Sequence, residues 1–151
     1  GEFDKAIVLA KEALNLQPSM YAASSFIAKL AYQKQDFQMA YKYYATSIEL
    51  GDSNLRTREM LAEVLLRFKQ WKKAIWQYNV VLALSPRRTG SIGGLAVALA
   101  NDGQVDKSKQ ILFDALKIYP SDPNLLSASS AIQSIGAAPY RGYDGGTGRS
   151  S

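Results

Sequence analysis

The chain has 151 residues, 18 of them basic and 13 acidic, which gives a formal net charge of +5. It contains no cysteine and no histidine, so disulfides, thiol nucleophiles, Cys or His metal sites and histidine acid–base catalysis are excluded. No apolar run reaches the roughly 18 residues that a membrane-spanning helix needs, and no segment has the pattern of a secretory leader. The chain opens without methionine, in the middle of a repeat, which we interpret as the mark of a fragment or processed form.

Eight short helices are predicted, joined by short turns. The apolar residues of the first helix recur at helical spacing, and Pro18 stops it. Later helices are ended by Gly51, by Pro86, by the turn at 101–103 and by Pro120. The predicted helical ranges are 3–17, 21–34, 37–50, 55–68, 71–84, 91–101, 105–118 and 123–135. No useful length alternates with period two, so strands are not expected.

The C-terminal part of the chain divides into a last helix and a tail. Pro123 suits the first turn of the eighth helix, whose apolar side is expected to carry Leu126, Ile132 and Ile135. Residues 137–151 are rich in Gly, Ser and Arg, and this composition predicts a flexible tail.

One fixed spacing, of about 34 residues, recurs throughout the helical pattern. Pro18, Pro86 and Pro120 follow it, with Asp52 in the remaining slot. Two further series at this spacing consist of small residues: Ala6, Ala40, Ala74, Ser108; and Ala28, Ala62, Ala96, Ser130. Two more consist of aliphatic residues: Leu14, Ile48, Leu82, Leu116; and Leu16, Leu50, Leu84, Ile118. Small residues let two helices cross closely, and the aliphatic residues are expected to fill the space beside that contact. A fixed period of this length indicates one structural unit copied and stacked.

This pattern resembles the tetratricopeptide repeat, a helix–turn–helix unit with the same period, over residues 1–136. The matching positions are the small residues Ala28, Ala62, Ala96, Ala40, Ala74 and Ser108, the aromatic residues Phe3, Phe37, Trp71, Tyr44 and Tyr78, and the turn residue Gly103. The departures are Ser24, Arg58 and Ile92 in place of a large aromatic residue, Asp52 in place of the closing proline, and Val105 and Leu112 where aromatic residues are usual.

The resemblance implies an all-α fold, a right-handed α-solenoid of stacked helix–turn–helix repeats. It divides the chain into a half repeat at 1–20, full repeats at 21–54, 55–88 and 89–122, and a capping helix at 123–136, followed by the tail at 137–151. The first helices of the repeats would line a concave groove that binds peptides or protein segments, and catalysis is not expected.

Candidate binding residues follow from the phase of the first helices. They are Lys29, Tyr32, Gln33, Arg56, Glu59, Glu63, Leu66, Arg67, Val97 and Asn101. The lysines and arginines either meet an acidic segment or, as we favour, pair with Glu59 and Glu63 on a solvated face. The small residues at 93–98 either leave room for a partner or, as we favour, let neighbouring helices pack closely. One branch of the family binds C-terminal carboxylates, but Met60, Gly90 and Gly94 depart from its residue set.

Two features lie outside that groove. Trp76 does not fit the buried positions of the repeat, and we favour partly buried packing over an interface on the convex side. Arg87 and Arg88 follow Pro86 and are expected to lie in a solvated loop rather than against an acidic partner.

The sequence therefore predicts a non-catalytic protein–protein interaction module without a cofactor. The alternative is a scaffold that self-associates through exposed repeat ends. An RNA-binding helical repeat is a third and less favoured hypothesis, based on the neighbouring Arg and Gly residues of Arg141-Gly142 and Gly148-Arg149. Composition does not distinguish a cytoplasmic from a periplasmic protein.

Overall fold

The computed structural model describes residues 1–137 as eight α-helices without strands. The helices are α1 (Glu2–Leu16), α2 (Tyr21–Gln33), α3 (Phe37–Glu49), α4 (Leu55–Arg67), α5 (Trp71–Leu84), α6 (Thr89–Asn101), α7 (Val105–Ile118) and α8 (Pro123–Ala137). None of them is long and apolar enough to cross a membrane. The expectation of a flexible tail falls almost wholly outside the described residues.

The eight helices stack in two layers. Each helix packs against the next in the chain, and α6 also contacts α4 and α8. The first helices of the repeats (α2, α4, α6 and α8) therefore form one layer, and the second helices (α1, α3, α5 and α7) form the other. This architecture confirms the predicted all-α solenoid; the division into individual repeats stays a prediction.

The small residues of the repeat lie at the helix crossings. Ala28, Ala62 and Ala96 are fully buried on the first helices, as are Ala40 and Ala74 on the second. Buried hydroxyl groups at these crossings have partners on the neighbouring helix: Ser24 Oγ donates to the Tyr43 carbonyl at 3.0 Å and Ser108 Oγ to the Ala96 carbonyl. The buried serines thus keep the close approach without leaving a polar group unsatisfied.

Backbone geometry at the helix ends explains the short turns. Gly51 and Gly103 adopt φ values of 102° and 92°, and Gln35 and Lys69 adopt 62° and 57° in equivalent places. At each end the following amide reaches back to a carbonyl five residues earlier, as in the bond from Asp52 N to Ser47 O at 3.0 Å. These are Schellman motifs, which satisfy the last carbonyls of the helix and turn the chain back.

One aliphatic series does not lie in the core. Leu16 is 88% exposed, and Leu84 and Ile118 are similarly exposed, whereas Leu14 is half-buried. Residues two apart on an α-helix point about 200° apart, so both series cannot face the same contact. The expectation that the series beginning at Leu16 fills the core was wrong, except at the half-buried Leu50.

The buried face of α8 matches the expected one at Ile132, which is buried, and at Ile135, which is half-buried, but not at Leu126. Leu125 is fully buried with Ala128 and Ile132, whereas Leu126 is exposed. Leu125, Ala128 and Ile132 are spaced by three and four residues, which places them on one stripe of the helix. Ser130 is exposed as well, because no later helix among the described residues covers that side of α8.

Candidate functional site

The face formed by the first helices, here called the first-helix face, carries most of the predicted binding residues. A cluster of three joins α2 to α4. The Tyr32 hydroxyl donates to Glu63 Oε1 at 2.7 Å, and burial together with this carboxylate raises the pKa of Tyr32. The Arg67 guanidinium lies 4.4 Å from the centroid of the Phe37 ring, which itself packs edge-on against Tyr32. Tyr32, Glu63 and Arg67 are thus brought together, as the helical phase predicted.

Glu59 forms the second polar cluster, at the junction of α4 and α6. Its carboxylate is buried and accepts from Arg88 Nε at 2.9 Å, from Arg88 Nη2 at 2.8 Å and from Ser91 Oγ. The Arg88 guanidinium holds the pKa of Glu59 below its ordinary value of 4.5, against the opposing effect of burial. Both oxygens of this carboxylate are engaged within the protein, so its direct role is to position α4 against α6.

Arg88 was expected in a solvated loop, and that expectation was wrong. It is the N-cap residue of α6, directly before Thr89. A cation at a helix N-terminus is electrostatically unfavourable on its own, which is the one signal in the sequence that pointed to an acidic partner. The sequence did not identify that partner, because Glu59 lies 29 residues earlier, at the other end of the same repeat.

The remaining cations of this face point to solvent. Lys29 and Arg56 are exposed, as is the neutral Gln33, and Arg56 Nη1 lies 3.7 Å from Glu59 Oε1. Within residues 1–135, Lys29 has no carboxylate partner. The favoured expectation that Lys29, Arg56 and Arg67 would pair with Glu59 and Glu63 therefore applies to Arg56 alone, and weakly.

The apolar part of the face lies on α4 and α6. Leu66 and Val97 are half-buried, and Asn101 donates through Nδ2 to the Val97 carbonyl of its own helix at 2.9 Å. Asn101 is half-buried as well. Leu66 and Val97 add a small apolar surface to the first-helix face.

The glycines of α6 permit close packing rather than leaving an empty site. A Cβ on Gly93 would lie 3.1 Å from the Asn124 carbonyl and 3.3 Å from Ala128 Cβ, both on α8. A Cβ on Gly94 would overlap the buried ring of Tyr78. The favoured interpretation of this small-residue stretch is confirmed, and the space is taken by α8 and Tyr78.

The chain is similar in sequence to a known protein family and to a human protein. The family model described as "Anaphase-promoting complex, cyclosome, subunit 3" matches residues 1–81, more than half of the chain. Tetratricopeptide repeat protein 21B from Homo sapiens is 30% identical over 132 residues, which are 87% of this chain and 9% of the human protein. The chain thus spans less than a tenth of the length of that relative.

MamA and YrrB are among the solved structures that share the fold. The crystal structure of MamA superposes with a TM-score of 0.78 at 18% identity, covering 96% of this chain and 79% of MamA. YrrB, a tetratricopeptide repeat protein with an unusual peptide-binding site, superposes with a TM-score of 0.67 at 18% identity, covering 89% of this chain and 78% of YrrB. The chain therefore belongs to the tetratricopeptide repeat proteins, in the family described as anaphase-promoting complex, cyclosome, subunit 3.

Proposed function

We propose that this chain is a non-catalytic interaction module that binds a peptide or helical segment of a partner protein on its first-helix face. Tetratricopeptide repeats generally mediate protein–protein interaction. The observation that carries the proposal is the unequal placement of charge on this face. Its acids are engaged inside the protein, whereas its cations are presented to solvent.

The charge argument depends on three residues. Glu59 is buried and neutralised by Arg88, so it contributes little negative potential at the surface. Lys29 is exposed, and the Arg56 side chain is 62% exposed, so both are free to contact a ligand. A segment with acidic side chains spaced to meet these two cations fits the face, and exposed charges of this kind mainly set the association rate and the choice of partner.

The apolar and aromatic residues supply the second element of recognition. Leu66 and Val97 are half-buried on α4 and α6, and Tyr32 is fixed by its hydrogen bond to Glu63. A fixed aromatic side chain loses little entropy on binding, and central apolar contacts contribute most of the affinity at protein interfaces. We therefore assign a partner segment that combines acidic residues with at least one apolar side chain.

The relatives support this class of role. YrrB has a peptide-binding site on the same fold, and the family description names a subunit of a multiprotein complex. Both favour a scaffold or adaptor in complex assembly. The RNA-binding alternative is based on residues beyond 137, which lie outside the described part of the chain.

A peptide-display selection tests the proposal. Random 12-residue peptides are selected on the whole chain and then depleted on the double variant Lys29→Glu, Arg56→Glu. Peptides that survive should be rich in Asp and Glu, and the variant should weaken their Kd about tenfold or more, as measured by fluorescence anisotropy.

The matched control is Lys107→Glu, Lys109→Glu, which reverses two exposed lysines of α7 in the other layer. This variant should change the Kd less than twofold. Selected peptides that bind both double variants as tightly as the wild type would refute the first-helix face as the binding surface.

A second candidate function is self-association through α1, favoured by its exposed apolar side. Leu9 is exposed, and a cavity of about 570 Å³ lies between α1 and α2, lined by alanines, Leu9 and Phe26. Light scattering should then show a molar mass that rises with concentration and returns to that of the monomer in Leu9→Glu. A constant monomeric mass for the wild type would eliminate this candidate.

A further inference from the structure

The layer of second helices carries an aromatic groove on the opposite side of the molecule from the first-helix face. The groove lies between α3 and α5 and consists of two adjoining cavities of about 430 and 290 Å³. Tyr41, Leu65 and Lys73 line both cavities, so the two are continuous. Phe68 lines the first cavity, and Trp76 lines the second. We call this surface the second-helix groove.

Three aromatic side chains remain at the surface of the groove. Trp76 is 61% exposed, and Tyr41 and Phe68 are exposed as well, with the last two in edge-to-face contact at 6.4 Å. The expectation that Trp76 is partly buried in packing was therefore wrong. Buried leucines of α4 form the floor, so the groove offers an apolar base with an aromatic rim.

The fold itself does not require aromatic residues at two of these positions. Phe68 and Trp76 occupy slots that recur once in each repeat. The slot of Phe68 holds Lys34 and Asp102 in the other repeats, and the slot of Trp76 holds Val8, Lys42 and Gln110. Because four of these five residues are polar or charged, the aromatic residues in the central repeat do not serve the packing common to all repeats.

The charged residues of the groove lining are unevenly distributed: Lys73 lines both cavities, and Glu49 lines only the second. Lys69 and Lys73 flank Phe68 and Gln70 of the first cavity and are exposed, and neither has a carboxylate partner among residues 1–135. Glu49, which lines the second cavity beside Trp76, is the one acid of the lining. The first cavity is thus the basic end.

We propose that the second-helix groove is a separate docking site for an acidic, amphipathic protein segment. An aromatic or aliphatic side chain of the segment inserts between Tyr41 and Trp76 over the leucine floor. Its carboxylates meet Lys73 and Lys69 at the basic end, so charge complementarity selects the partner. The aliphatic floor favours an inserted side chain over the stacked bases of single-stranded RNA, which bind flat aromatic platforms.

The test uses the same random 12-residue display library on the whole chain, now depleted on the double variant Lys73→Glu, Trp76→Ala. Surviving peptides should combine an apolar residue with an excess of Asp and Glu. Trp76→Ala should weaken their Kd about 30-fold, as expected for an aromatic anchor, and Lys73→Glu about tenfold. In a Trp71→Phe background, peptide binding should shift the fluorescence of Trp76 to shorter wavelength.

Phe113→Ala is the matched control, because Phe113 is an equally exposed aromatic residue of α7 outside the groove. Phe113→Ala and the double variant Lys29→Glu, Arg56→Glu should each change the Kd less than twofold, which separates this site from the first-helix face. The proposal is overturned if no peptide discriminates wild type from the groove variant. It is also overturned if Phe113→Ala weakens peptide binding as much as Trp76→Ala does. A third contradicting result is a 12-residue poly(U) RNA whose binding depends on Trp76 while peptide binding does not. Circular dichroism melting of each variant confirms that the fold is intact.

Discussion

Replacing Asp52 by proline should destabilise the domain by at least about 3 kcal/mol, although proline occupies the same slot in the other repeats. The backbone amide of Asp52 donates to the Ser47 carbonyl at 3.0 Å, and Gly51 before it has a φ of 102°. Proline has no amide hydrogen and disfavours this conformation in the residue before it. The repeat at 21–54 therefore ends in a glycine-based turn that cannot accept the proline usual at this position in the family.

The side chain of Asp52 adds to this requirement. Its buried carboxylate accepts from Ser47 Oγ at 2.7 Å, from Asn54 N at 2.9 Å and from Thr57 Oγ1 at 2.8 Å, and so ties the end of α3 to the start of α4. Removal of the carboxylate leaves buried hydroxyl groups without this acceptor, at a cost of about 1–3 kcal/mol.

Urea unfolding followed by circular dichroism measures these effects. The free energy of unfolding should fall least for Asp52→Asn, further for Asp52→Ala and furthest for Asp52→Pro. Pro86→Ala, at an exposed proline in the equivalent slot, should change it by less than about 1 kcal/mol. A stabilised Asp52→Pro variant would show that the turn at Gly51 is not required.

Glu59→Gln should destabilise the domain by about 2 kcal/mol at neutral pH, because it removes a charged hydrogen-bond acceptor from a buried ion pair. The substitution keeps the volume of the side chain but removes the charge that Arg88 and Ser91 bind. Breaking a buried ion pair from one side is costly because the other charge stays partly desolvated, and the partial exposure of Arg88 moderates that cost here.

The pH dependence of this effect has a definite sign. Hydrogen bonds from Arg88 lower the pKa of Glu59 in the folded protein below its ordinary value of 4.5. A group with a lowered folded pKa stabilises the protein above the unfolded value, and this contribution is lost as the pH falls through the folded value. The difference in unfolding free energy between wild type and Glu59→Gln should therefore be full at pH 7 and shrink below pH 4.5. A difference that stays constant down to about pH 2.5 would show that the Glu59 charge makes no contribution.

Periodic features of the sequence predicted the fold well, because each repeat places the same residue type in the same contact. Tyr44 and Tyr78 lie in the core as expected, and burial raises the pKa of the Tyr44 phenol to about 12. Periodicity alone does not decide which of two parallel series faces the core, so it predicts the same environment for Leu14 and Leu16.

Contacts between repeats were harder to predict, since they depend on residues that differ from one repeat to the next. Glu59 accepts a hydrogen bond from Ser91 of the next repeat, and Gly94 accommodates the ring of Tyr78. Trp76 departs from the repeat pattern, but its sequence position did not reveal the cavity beside it. Such pairings follow from three-dimensional packing and not from helical phase.

The most direct test of partner binding on the first-helix face is a quantitative pull-down from source-cell lysate. Three proteins are compared by mass spectrometry: the wild type, the double variant Lys29→Glu, Arg56→Glu, and the control double variant Lys107→Glu, Lys109→Glu. Circular dichroism first shows that all three have equal helicity. We predict a set of proteins captured by wild type and the control and lost with the variant at Lys29 and Arg56. Capture of the same proteins at the same level by all three would contradict binding on this face.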